Sequence, residues 1–213
     1  MLMGGRRNAL KISLLLFTLV TPVVLYLFLQ GFGENIYKVP IYFENGINRD
    51  TTNCNLGDKQ HIVQFVTLKA DHQNQTEYKI FNQKLTVVDI NNEASEKKLG
   101  EIGYSLNRVA DTFVNEKLFQ ILIIQPDTVT QLDKKNASKS NLIRLRINQK
   151  KILEFARCGL ILLDFPETRI SSWNKRFVLI DQAGRIRGYY YAHDFQEIDR
   201  LILEIKIILE EEY

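Results

Sequence analysis

The stretch from Ile12 to Leu29 carries no charged side chain, and only Ser13, Thr18, Thr21, Pro22 and Tyr26 interrupt its apolar character. In lipid no water is at hand to satisfy backbone N–H and C=O groups, so such a segment must be a helix. At about 1.5 Å per residue its length comes to roughly 27 Å, enough to cross the hydrocarbon core of a bilayer. Pro22 is tolerable in a membrane helix, which it bends rather than breaks. Arg6, Arg7 and Lys11 precede the run, and Glu34 is the first charge after it. The positive-inside rule therefore places residues 1–11 in the cytoplasm, makes 12–29 a transmembrane anchor and exports the chain beyond Gln30. A cleaved signal peptide is the rival reading, but it needs small residues after the apolar run. Tyr26 to Gly33 reads YLFLQGFG and has no A-x-A pattern, so an uncleaved anchor is expected.

Residues 30–60 read as a tether, with Gly, Asn and Asp throughout and Pro40 inside. Ile36, Tyr37, Val39, Ile41, Tyr42 and Phe43 suit a segment lying against the following domain. A net charge of +3 is too small to argue for nucleic acid, and no Lys/Arg run interleaves with aromatics. The two cysteines, Cys54 and Cys158, form no C-x-x-C, which excludes a disulfide framework and a cysteine-rich zinc site.

Residues 61–213 carry the pattern of one domain. Ile62–Leu68 and Glu77–Phe81 suit strands, with a polar turn between them. Leu85 to Ile90 is short, apolar and β-branched, as a buried strand would be. Leu99, Ile102, Leu106, Val109, Ala110 and Phe113 recur at helical spacing, predicting a helix to about Asn115. Leu118 to Ile124 reads as a central parallel strand. The segment from Pro126 to Asn141 is mostly polar loop. Leu142–Ile147 alternates, with Arg144 and Arg146 expected to face out, and Asn148 can cap a helix that ends at Gly159. Phe177–Ile180 and Arg185–Tyr190 flank a turn containing Gly184 and read as a hairpin. Asp194, with Glu197 three residues on, opens a last helix reaching about Glu210. Its apolar face is Ile198, Leu201, Ile202, Ile205, Ile208 and Leu209, widened by Leu203 and Ile207. The order strand, helix, strand, helix, hairpin, helix predicts an α/β domain with a mixed sheet flanked by helices.

The run FVLIDQAGRIRGYY, followed by D-x-x-E-I-D-R-L-I, resembles the C-terminal signature of the SCO/SenC proteins. GFGENIYKVPIYF after the anchor is similar to membrane-tethered members, and Phe81, Lys84, Asp89, Arg108 and Val109 fall on expected positions. The resemblance implies a thioredoxin-like fold and a periplasmic domain on a single-pass inner-membrane anchor. It also implies copper delivery to, or thiol reduction in, the copper centre of cytochrome oxidase. Copper binding in the family rests on C-x-x-x-C at the start of the first long helix and one His before the hairpin. Those positions fall here on Ser95, Leu99 and Trp173. Ser95 offers a hydroxyl and Leu99 no ligand at all, whereas copper favours thiolate with imidazole. No catalytic residue, cofactor or metal ligand is therefore expected. The expectation is a non-enzymatic assembly or binding factor linked to respiratory-oxidase biogenesis, partnered by membrane and protein and by no nucleic acid.

The alternative is an active copper chaperone or thiol oxidoreductase using Cys54, Cys158 or His193. Asn91, Asn92, Glu93 and Glu96 can hold a hard cation only weakly and suit a solvated capping loop. Cys158 lies late in its helix and reads as a small buried hydrophobe. A Cys54–Cys158 disulfide suits an exported domain, but spacing alone leaves open whether the two meet. Arg185 and Arg187, with Tyr189 to Tyr191, can form a partner-binding surface or simply the polar side of the hairpin.

Overall fold

The computed structural model describes residues 4–32, 37–47, 54, 59–63, 68–69, 77–78, 83–90, 96–127, 140–162 and 176–211. The chain forms two compact units, Met1–Lys38 and Val39–Tyr213.

The first unit is helix α1, Gly4–Phe32. Within it Lys11–Gly31 is a candidate membrane span, with mean hydropathy 2.5. The Thr18 and Thr21 hydroxyls donate to the carbonyls of Leu15 (2.9 Å) and Phe17 (2.6 Å). Both polar groups are thus satisfied within the helix, as lipid demands.

The second unit is built on a five-stranded sheet of β3 (Leu85–Ile90), β4 (Phe119–Pro126), β5 (Leu142–Ile147), β6 (Arg176–Ile180) and β7 (Ile186–Tyr191). Its spatial order is β5-β4-β3-β6-β7. The β3–β4 and β4–β5 pairs are parallel, whereas β3–β6 and β6–β7 are antiparallel. A separate two-residue ladder joins β1 (Leu68–Lys69) to β2 (Glu77–Tyr78).

Helices α2 (Glu96–Thr112) and α4 (Phe195–Glu211) cover one face, packing Ile102, Leu106, Val109, Ile198, Leu201 and Ile205 on Leu85, Val87, Ile121, Ile123, Phe177 and Leu179. The other face holds Val88, Ile90, Leu122, Ile124, Val178 and Ile180 beneath Ile152, Phe155 and Leu160. Those residues come from α3 (Gln149–Glu154) and the π-helical turn and coil after it. The result is the mixed, helix-flanked α/β sheet that the pattern predicts. Because β3 is covered on both sides, all six of its residues are buried, and the sequence carries no alternation there.

Local signals place several boundaries. The Asn148 carboxamide accepts from Lys150 N at 2.9 Å and starts α3. Asp194 Oδ1 accepts from Gln196 N at 2.8 Å and starts α4. Glu197 turns to Arg200 (2.7 Å) instead of closing a capping box. The hairpin connection has Gly184 at φ 81°, where a Cβ would stand 2.9 Å from Ile62 Cγ2.

Some expectations are corrected. Leu203 is 56% exposed and does not widen the buried face of α4, whereas Glu204 is buried in its place. Tyr190 makes that possible by donating its hydroxyl proton to Glu204, and Arg200 lies 4.6 Å over the Tyr190 ring. Residues 61–63 are coil, with Val63 N donating to Gly184 O at 2.8 Å. Within the segment read as a tether, Val39 is in the core and Tyr42 N donates to Ile186 O at 2.8 Å, so both lie against the domain as the apolar residues there suggest. This covers part of an edge strand that would otherwise show unpaired backbone.

Candidate functional site

The resemblance points to the place where β3 passes into α2. Leu99 lies in the first turn of α2. Ser95, Trp173, Asn91, Asn92 and Glu93 lie outside the described residues.

Just before that junction stands Asp89, 1% exposed, with an Oδ2 that has no hydrogen-bond partner among the described residues. Asp89 is level with Ile123 of β4, which is level with Arg144 of β5. With strands about 4.8 Å apart, the carboxylate and the guanidinium share one row across the sheet, on the face covered by α2 and α4. Burial pushes the Asp89 carboxyl up from 3.8 to about 7, and the Arg144 charge works against that rise. A carboxyl pushed to about 7 can give or take a proton near neutral pH. Sequence reasoning saw the strand and placed Asp89 in the resemblance, but did not read the acid as buried. The signal was an Asp inside an otherwise apolar buried run. Arg144, expected to face out, is half-buried, while Arg146 is exposed as expected.

Cys54 and Cys158 are bonded to each other, with Cα atoms 5.5 Å apart. Cys158, expected to be a buried small hydrophobe, is a half-buried partner in that disulfide. His61 lies at the same corner, where its Nε2–H donates to Gly159 O at 2.7 Å. His193 is half-buried in the turn between β7 and α4. Among the described residues no three His, Cys, Asp or Glu side chains converge as a metal-holding group.

Of the two readings of Arg185, Arg187 and Tyr189 to Tyr191, a partner-binding surface or the polar side of the hairpin, neither places Arg187 and Tyr190, which are buried. Arg187 is 5% exposed and sits against Asp181 Oδ2 at 3.2 Å, because Asp181 is itself fully buried and must be neutralised. Tyr190 is fully buried, and burial followed by its bond to Glu204 pushes its hydroxyl up. Tyr191 stays accessible, with Arg176 4.7 Å over its ring.

No family model matches the chain, and no curated protein matches it. Among solved structures it is similar to BsSco, a member of the Sco family of cytochrome c oxidase assembly proteins. That match has a TM-score of 0.52 and 14% identity, over 70% of this chain and 93% of that one. The fold is SCO-like and thioredoxin-like. A SCO1/SenC family lipoprotein from Bacillus anthracis str. Ames matches with a TM-score of 0.48 and 19% identity, over 61% of this chain and 83% of that one. The thioredoxin domain of a thiol-disulfide oxidoreductase from Bacteroides vulgatus gives a TM-score of 0.41 and 18% identity, over 60% and 81%. At these identities the likeness concerns the SCO-like backbone alone, and the chemistry has to come from the chain's own residues.

Proposed function

We propose that this chain is a membrane-anchored, SCO/SenC-like protein that has lost the copper and redox site and acts by binding protein partners. Its domain works on the periplasmic side of the inner membrane, in the biogenesis of a respiratory oxidase, and performs no catalytic step of its own. The observation that carries this reading is the fate of the thiols: the chain's two cysteines are spent on one disulfide between Cys54 and Cys158. A disulfide sulfur is no thiolate ligand for copper. The positions where the resemblance puts the three ligands are Ser95, Leu99 and Trp173. The SCO-like fold favours oxidase assembly, the work of the family to which BsSco belongs, as the setting.

The test is a Cu(I) titration of the full chain in detergent micelles, with the disulfide intact. No stoichiometric uptake is expected. Tight one-to-one uptake would remove the reading.

A further inference from the structure

The corner where α3 ends departs from regular geometry over several consecutive residues. After Glu154 the helix widens into a π turn, Phe155–Gly159, and then closes. Leu160 N donates to Phe155 O (2.9 Å) and Leu162 N to Ala156 O (2.8 Å). The second bond spans seven residues, Ala156 to Leu162, one more than the usual helix-ending return, and the residue before its donor is left-handed. Glycine normally takes that place. Here it is Ile161, at φ 53° and 3% exposed. A β-branched residue in this region is an outlier, and such strain persists only where the surroundings over-determine it.

Three ties do so. Cys158 is bonded to Cys54, Gly159 O accepts from His61 Nε2 (2.7 Å), and Leu160 O accepts from the Tyr189 hydroxyl (2.8 Å). Two of the three run to the N-terminal segment. That segment is knitted in turn, by His61 N to Phe43 O (3.0 Å) and by Arg187 to the carbonyls of Val39 (2.8 Å) and Pro40 (3.2 Å).

We infer that the Cys54–Cys158 bond is a reducible latch, opened by a dithiol, which holds residues 39–47, 59–63 and the strained corner in one arrangement. Cys54 is buried and Cys158 half-buried, so the incoming thiolate attacks Cys158 Sγ. The S–S bond breaks, and Cys54 leaves as thiolate and takes a proton from water. The second thiol of the reductant then attacks its own sulfur in the mixed disulfide, displacing Cys158. The dithiol is oxidised by two electrons to a disulfide, and the cysteine pair is reduced by two. Afterwards hydrogen bonds and the packing of Val39, Tyr42, Phe43 and Ile47 hold the segment with no covalent tie, and Ile161 is free to leave the left-handed region. This inference stands apart from the partner reading: copper uptake would overturn that reading and leave the latch untouched.

The experiment uses the full chain in detergent micelles without denaturant, with dithiothreitol as the probe. Hydrogen exchange is followed by mass spectrometry in the oxidised, the reduced and the Cys54→Ala, Cys158→Ala forms. Reduction is expected to go to completion under native conditions. Exchange should then rise on the order of tenfold or more over 39–47, 59–63 and 155–162, while β3 and β4 keep their protection. Both the reduced and the double-variant chain should show this pattern. Reduction that needs denaturant overturns the latch. So does unchanged exchange at the corner, or loss of protection across β3 and β4, which marks a permanent staple of the whole fold. In a reduced Ile161→Gly chain the corner should exchange more slowly than in the reduced parent, since glycine adopts the left-handed conformation unaided. Equal or faster exchange there removes the strained corner from the device.

Discussion

Arg187 Nη1 lies 3.2 Å from Asp181 Oδ2, and both side chains are buried at the base of the β6–β7 hairpin. Asp181 also accepts from Arg185 Nε (2.6 Å) and from the backbone N–H groups of Ala183 (3.0 Å) and Arg185 (2.9 Å). The same Arg187 reaches out to Val39 O and Pro40 O, so one guanidinium joins the hairpin to the segment that comes after the anchor. Removing Asp181 takes from the buried Arg187 its nearest carboxylate, which costs about 3–5 kcal/mol, whereas removing Arg187 leaves Asp181 its bond from Arg185 and costs less. Asp181→Ala should lower stability by that order in chemical denaturation of the full chain, and Arg187→Ala by less. The double variant should lose much less than the sum. Additive losses would show that the two charges do not depend on one another.

Asp89 gives the protein a pH dependence of definite sign. Its folded value of about 7 lies above the ordinary 3.8, so the folded chain holds this proton more tightly than the unfolded one. Its contribution is therefore complete below about pH 4 and is lost as the pH rises through 7. At 1.36 kcal/mol per unit, the span from 3.8 to about 7 amounts to about 4 kcal/mol at most. Stability measured between pH 4 and 8 should fall by an amount of that order and then level off. Asp89→Asn should abolish the fall and leave the protein more stable than the parent at pH 8.

Gly188 is required by the side chain two residues on. A Cβ there would stand 2.2 Å from the Tyr190 hydroxyl oxygen, which is held by Glu204. Gly188→Ala must push Tyr190 out of its place and break that bond, at a cost of about 2–4 kcal/mol from overpacking and an unsatisfied buried carboxylate. Tyr190→Phe should cost less. The loss of the Tyr190–Glu204 bond should then be counted once, so the two changes combined should fall short of additive in thermal unfolding.

The first turn of α4 rests on Asp194. Its carboxylate takes up the Gln196 N–H, and Glu197 contributes no second cap because it pairs with Arg200. Asp194→Ala should cost about 1 kcal/mol, and Glu197→Ala distinctly less because its partner is accessible to water. A comparable loss for both would show that the two residues act together as a box.

Much of the fold is legible because burial on both faces writes a continuous apolar run. Leu85–Ile90 and the strand at Phe119 were readable for that reason, as were α2 and α4 from their helical spacing. Where Phe119 begins and Pro126 ends the strand was less readable, since parallel pairing with Leu85–Ile90 sets the first limit and with Leu142–Ile147 the second. Arg187 was misplaced and Glu204 passed over because a charged residue reads as solvated until its counter-group is known. The counter-groups here, Asp181 and Tyr190, are fixed by the hairpin and the packing of α4.

The sequence by itself determined the apolar helix near the N-terminus, the alternation of strands and helices, the caps at Asn148 and Asp194, and the left-handed turn at Gly184. Each of these rests on interactions between near neighbours in the chain. Only the tertiary structure decided that Cys54 meets Cys158 across 104 residues, that Asp89 shares a row with Arg144, and that Tyr42 bonds to Ile186 on the edge of β7. These depend on which distant surfaces pack together, and composition and spacing carry no record of that.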